Sequence, residues 1–76
     1  MIIEIFGKQL CGHCTRAKTA LEIKEIPFEY KDFFDDLDEE EQAKVRERAP
    51  TAGSFPIIFI DNVYIGGADQ LVSILK

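Results

Sequence analysis

Seventy-six residues, 46% of them hydrophobic, hold one domain over 1–76 with a single small core, and argue against a disordered chain. A net charge of −5 leaves no basic patch for phosphates, so nucleic acid is excluded as a partner, and no apolar run approaches the ~20 residues that cross a bilayer. The two cysteines allow one disulfide, too few to staple a miniprotein, and residues 1–6 do not read as a secretory signal; the expected compartment is the cytoplasm, where such a pair is redox-active or metal-binding.

Met1–Phe6 sets Ile2, Ile3, Ile5 and Phe6 around Glu4 and runs into Gly7, which predicts a largely buried strand. Gly7–Leu10 is a short loop. A helix is predicted from Thr15 to about Lys24, with Cys14, Ala17 and Leu21 on its inner face and Pro27 as its stop. Phe28–Lys31 alternates apolar and polar residues, a second strand. Seven of the fourteen acidic residues fall between Asp32 and Glu41. Within that run, Asp35-Asp36 followed by Glu39 has the spacing of a capping box. It opens a helix from Leu37 to about Arg48, which Pro50 closes and whose weak apolar side is Leu37, Val45 and Ala49. Phe55–Ile60 is a strand with Pro56 at its start, where a strand tolerates proline. Asp61-Asn62 is a two-residue hairpin turn, Val63–Ile65 the returning strand, and Gly66-Gly67 a break. Ala68–Lys76 is a last short helix, with Leu71, Val72 and Leu75 facing inward. The order β-α-β-α-β-β-α predicts an α/β fold: a four-stranded mixed sheet flanked by three helices, with a right-handed crossover joining the first two strands.

The chemistry concentrates in Cys11-Gly12-His13-Cys14, at the junction of the first strand and helix. A cysteine at the first turn of a helix has unpaired backbone N–H groups and the positive end of the helix dipole beside its sulfur. Both favour the thiolate, which is the nucleophile. Cys11 sits at the exposed tip and Cys14, one turn on, points inward. A structural zinc site needs four protein ligands, and beyond Cys11, His13 and Cys14 the chain has no other Cys or His.

Three residue sets, in this order and spacing, resemble a glutaredoxin over nearly the whole chain. They are Ile5-Phe6-Gly7-Lys8 with Cys11-x-x-Cys14 and Arg16-Ala17-Lys18; Ser54-Phe55-Pro56, where the family has Thr-Val-Pro; and Ile65-Gly66-Gly67-Ala68-Asp69, where it has Ile-Gly-Gly-x-Asp. The resemblance implies a thioredoxin fold and glutathione-coupled thiol–disulfide exchange, with glutathione as co-substrate rather than a tightly bound cofactor. Its partners would be glutathione and disulfide-containing client proteins, ribonucleotide reductase among them, and the protein would act as a monomer. Cys11 would be the nucleophile and Cys14 the resolving thiol. Lys8 would meet glutathione's glycine carboxylate. Phe55, before a cis Pro56, would pair with the extended peptide, and Gly67, Ala68 and Asp69 would hold the γ-glutamyl end. Gln42 and Arg46, on the acidic helix, could add a second carboxylate contact but are not assigned to the site.

Two departures stand out. Gly12-His13 replaces the family's Pro-Tyr, so that Cys-Gly-His-Cys looks like the centre of a protein disulfide isomerase, and Phe55 replaces Val. A protonated His13 beside Cys11 stabilises the thiolate and hence the reduced form, which predicts a more oxidising potential. Two other readings compete with the glutathione one. The first is a thioredoxin-like donor recharged by a flavoprotein reductase, and the second is an iron–sulfur or metal carrier.

Overall fold

The computed structural model describes residues 1–76. Its elements are β1 (Ile3–Gly7), α1 (Gly12–Ile23), β2 (Glu29–Asp32), α2 (Glu39–Arg48), β3 (Ile57–Ile60), β4 (Val63–Gly66) and α3 (Ala68–Leu75). The strands form one sheet in the order β2-β1-β3-β4, with β1 parallel to β2 and the other two pairings antiparallel. No helix is long and apolar enough to cross a membrane.

Strand alternation divides the core into two halves. Ile3, Ile5 and Ile58 face α1 and α3, where they pack with Ala17, Leu21, Ala68 and Leu71. Phe6, Ile57 and Phe59 face the other way and pack with Phe33, Leu37, Val45 and Ala49 around α2. Glu4 falls on this second face, and its charge is answered there. Arg48 of α2 donates to the Glu4 carboxylate at 3.2 Å and to Asn62 at 3.0 Å, while its guanidinium lies 3.9 Å from the centre of the Phe59 ring.

The element types match the expectation from the sequence, and several boundaries differ for identifiable reasons. Helix α1 begins at Gly12 rather than Thr15, because Cys11 itself is the N-cap and its sulfur accepts from the Cys14 N–H at 3.2 Å. The helix ends at Ile23, well short of Pro27. Glu25 takes a left-handed φ of 57°, and the Glu25 and Ile26 N–H groups bond back to the Glu22 and Leu21 carbonyls. This is a Schellman stop with glutamate where glycine is usual. The capping box of α2 lies at Asp38 and Glu41, not at Asp36 and Glu39. Asp32 and Asp36 are spent on the preceding turn: Asp32 accepts from the Phe34 and Asp35 N–H groups, and Asp36 accepts from the Asp32 N–H.

Two turns near the end of the chain follow the expected chemistry. Asp61 and Asn62 both have positive φ, 49° and 67°, as a type I′ hairpin turn requires. At Gly66 the φ of 118° suits only glycine, and a bulge between Ile58 and Phe59 accompanies it. That break aims the start of α3 at the end of the sheet where β1 delivers the cysteines.

Candidate active site

Cys11 and Cys14 form a disulfide with Cα atoms 5.3 Å apart. Their placement is asymmetric. Cys14 lies on the buried face of α1 with Ala17 and Leu21 and is 1% exposed, whereas Cys11 is partly open to solvent. Leu10 before it adopts a φ of 54° and is fully exposed, so the chain lifts away from the protein surface as it enters the helix.

A cavity of about 480 Å³ opens beside Cys11, and its walls include Lys8, Gly12, His13, Arg46 and Phe55. An adjoining hollow of about 170 Å³ is bounded by Pro56, Gly67, Ala68, Asp69 and Gln70. His13, Ser54 and Phe55 line both, so the two share one wall and form a groove across the end of the sheet. The Phe55–Pro56 peptide is cis. The structure therefore gathers every residue singled out for the site along one groove, except Cys14, which lies behind it.

A third cavity, about 600 Å³, shares Lys8, Leu10, Cys11 and Gly12 with the first and reaches Cys14, Lys18, Tyr30 and Asp32. The Lys18 ammonium sits 4.1 Å from the centre of the Tyr30 ring. Burial, followed by the charges of Asp32 and Asp36, holds the Tyr30 phenol above its ordinary value. Tyr30 packs against bare backbone, since a Cβ at Gly7 would lie 2.7 Å from its Cζ.

The structure separates the two candidates for a second carboxylate contact, Arg46 and Gln42. Arg46 joins Lys8 as a second cation on the wall of the first cavity, and its guanidinium lies 4.9 Å from the centre of the Phe33 ring. Gln42 is not available to the groove, because its amide donates to the Phe33 and Leu37 carbonyls at 3.1 and 3.3 Å. At the far end, Asp69 is not a free carboxylate. It accepts a hydrogen bond from the Arg16 guanidinium of α1, which holds its carboxyl below the usual carboxylate range, and the charge of His13 acts in the same direction. No three of the His, Cys, Asp and Glu side chains come together as a metal-ion site.

Comparison with known proteins gives a consistent picture. A family model described as Glutaredoxin matches residues 3–65. Over 74 residues the chain is 32% identical to Glutaredoxin 1 of Rickettsia prowazekii, a match that covers 97% of this chain and 77% of that protein. It is 33% identical over 72 residues to Glutaredoxin 3 of Escherichia coli, covering 95% of this chain and 83% of that one. Among solved structures, reduced Escherichia coli glutaredoxin superposes with a TM-score of 0.81 at 26% identity, over 100% of this chain and 94% of that one.

Proposed function

The chain belongs to the glutaredoxin family and its cysteine pair makes it a thiol–disulfide oxidoreductase, and from that premise we propose that glutathione is its reductant and mixed disulfides of glutathione are its substrates. The observation that carries this reading is the groove. One cation-lined end lies beside Cys11, its middle is the Phe55–Pro56 backbone, and its far end is the start of α3. A tripeptide with a carboxylate at each end and a central thiol fits that order. Lys8 and Arg46 take the glycine carboxylate. The Phe55 backbone pairs with the peptide like an added strand. The first-turn N–H groups of Ala68 and Asp69 suit the α-carboxylate at the other end.

The Cys11 thiolate attacks the glutathione sulfur of a glutathionylated client, releasing the client thiol and leaving Cys11 joined to glutathione. A second glutathione thiolate attacks that bond, giving glutathione disulfide and the free Cys11 thiolate. With a client disulfide, Cys11 joins the client first. Cys14 then loses its proton and attacks Cys11, which frees the second client thiol and closes the Cys11–Cys14 bond. Two glutathiones reopen it. His13 tunes the centre by stabilising the Cys11 thiolate, and Gly12 leaves the helix start open beside it. Clients such as ribonucleotide reductase and a cytoplasmic site of action belong to the same proposal.

A coupled assay tests the reductant. The expected result is turnover of a small mixed disulfide that requires glutathione, with glutathione reductase and NADPH regenerating it. Recharging by NADPH and a flavoprotein thioredoxin reductase, with glutathione inert, would favour the thioredoxin-like reading. A coloured protein without exchange activity would favour the iron–sulfur carrier.

A further inference from the structure

Of the three hollows described at the dithiol, only the one of about 600 Å³ is lined by Cys14. Its charged walls are Lys8, which it shares with the groove, Lys18 and Asp32. Lys18 stands four residues after Cys14 on α1, so the two side chains are neighbours on the helix surface. Its ammonium lies 4.1 Å from the centre of the Tyr30 ring and pairs with no carboxylate, although Asp32 lines the same hollow. Asp32 is engaged elsewhere, accepting from the Phe34 and Asp35 N–H groups. Tyr30 faces Ile5 in the pairing of β1 with β2, and its ring extends to Gly7, where a Cβ would overlap the phenol oxygen. The bare backbone at Gly7 therefore lets the ring reach the end of the sheet that carries the cysteines. There it forms a platform that holds a lysine charge by its π face.

We propose that Lys18, held in the hollow by Tyr30, is the charge that activates Cys14 for the resolving step. The role rests on Cys14 being the resolving thiol. Cys14 is 1% exposed, and burial disfavours the charged form of a thiol. The Cys14 N–H is directed at the Cys11 sulfur, and no donor is directed at the Cys14 sulfur in return. A cation one turn along the same helix supplies what that sulfur lacks. In the resolving step the Cys14 thiol loses its proton to solvent in the hollow. Its electron pair forms the bond to the Cys11 sulfur, the bond from Cys11 to the client breaks, and the client sulfur leaves as a thiolate and takes up a proton. The Cys14 sulfur is oxidised and the client sulfur reduced, with no further reagent. The Lys18 ammonium stabilises the Cys14 thiolate between the first and second of these events. Tyr30 is a positioning residue, and it acts through its ring rather than its hydroxyl.

Pre-reduced protein is mixed with the symmetric disulfide of a short peptide, and samples quenched with acid at successive times are read by mass spectrometry for the adduct of Cys11 with the peptide. In Lys18→Gln the adduct is expected to decay about tenfold more slowly than in wild type, the change in thiolate fraction that one pKa unit brings. Lys18→Arg, which keeps the charge, recovers most of the rate. Tyr30→Phe, which keeps the platform, behaves as wild type, and Tyr30→Leu is slow. Removal of glutathione from a small mixed disulfide, a cycle that does not use Cys14, keeps its rate in Lys18→Gln. Adduct decay in Lys18→Gln at the wild-type rate, or an equal slowing of both reactions, overturns the role of Lys18, and so does a Lys18→Arg protein as slow as Lys18→Gln. A Tyr30→Phe protein as slow as Tyr30→Leu overturns the role of the ring. A Cys14→Ser protein that accumulates no adduct overturns the resolving role itself, independently of Lys18.

Discussion

Cys11→Ser is expected to be inactive toward every disulfide, whereas Cys14→Ser keeps one half of the activity and loses the other. The asymmetry follows from placement. Cys11 is the partly open N-cap of α1, with the Cys14 N–H directed at its sulfur at 3.2 Å, so a negative charge on that sulfur has both a donor and the positive helix end beside it. A serine hydroxyl at the same place stays protonated and offers no comparable nucleophile. Cys14 is buried on the inner face of α1, so in the proposed cycle it acts only on a disulfide that Cys11 has already formed. The variant Cys14→Ser therefore still removes glutathione from glutathionylated substrates, because that cycle needs one protein sulfur. It stalls on a protein disulfide as a covalent Cys11–client adduct, visible by mass spectrometry under non-reducing conditions. Full activity in Cys11→Ser, or dithiol reduction surviving in Cys14→Ser, would reverse the assigned roles.

The second large effect is on stability. Phe33→Ala is expected to cost about 3–5 kcal/mol, typical for removing a buried phenylalanine ring. A domain of this length holds roughly 4–11 kcal/mol in total, at about 0.05–0.15 kcal/mol per residue, so the variant sits near global unfolding at room temperature. Phe33 is 1% exposed and centres the aromatic cluster on the α2 face, with ring centroids 5.1 Å from Phe34 and 5.3 Å from Phe55. It also lies beneath the Arg46 guanidinium. The ring thus supports two walls of the groove as well as the core. Phe33→Leu, which keeps most of the volume, should lose only about 1–2 kcal/mol in urea unfolding. At concentrations where it remains folded, it should raise the KM for glutathione substrates more than it lowers kcat. A Phe33→Ala protein with an unfolding midpoint near that of wild type would contradict the packing described.

How much was legible in the sequence depended on the range of the signal. The hairpin was readable because Asp61-Asn62 tolerates the positive φ that its turn needs, and the cysteine junction because a strand pattern ran directly into a helical one. Glu4 looked like an interruption in an apolar strand. Its partner, Arg48, lies 44 residues away, and no local pattern announces it. The cap of α2 was misplaced because the acidic run offers several aspartates three residues ahead of an acid, and the choice among them is made by the turn at Asp32, not by spacing. The end of α1 was misplaced because its stop is a left-handed glutamate, a residue that carries no such signal. The groove residues were found through the resemblance rather than through periodicity; the pairing of Arg16 with Asp69, and the choice of Arg46 over Gln42 for the cavity wall, were not legible because each is an ordinary helix-surface residue until the fold places it.

A glutathione groove and a Cys11 thiolate stabilised by His13, as proposed, both act on the redox equilibrium of the dithiol. Equilibrating the wild type and His13→Tyr against graded ratios of reduced to oxidised glutathione, and then quantifying the Cys11–Cys14 dithiol, tests both parts together. The expected result is that both proteins equilibrate with glutathione and that the wild type, with His13 beside Cys11, has the higher, more oxidising potential. A wild type that fails to equilibrate, or whose potential equals or falls below that of His13→Tyr, would contradict it.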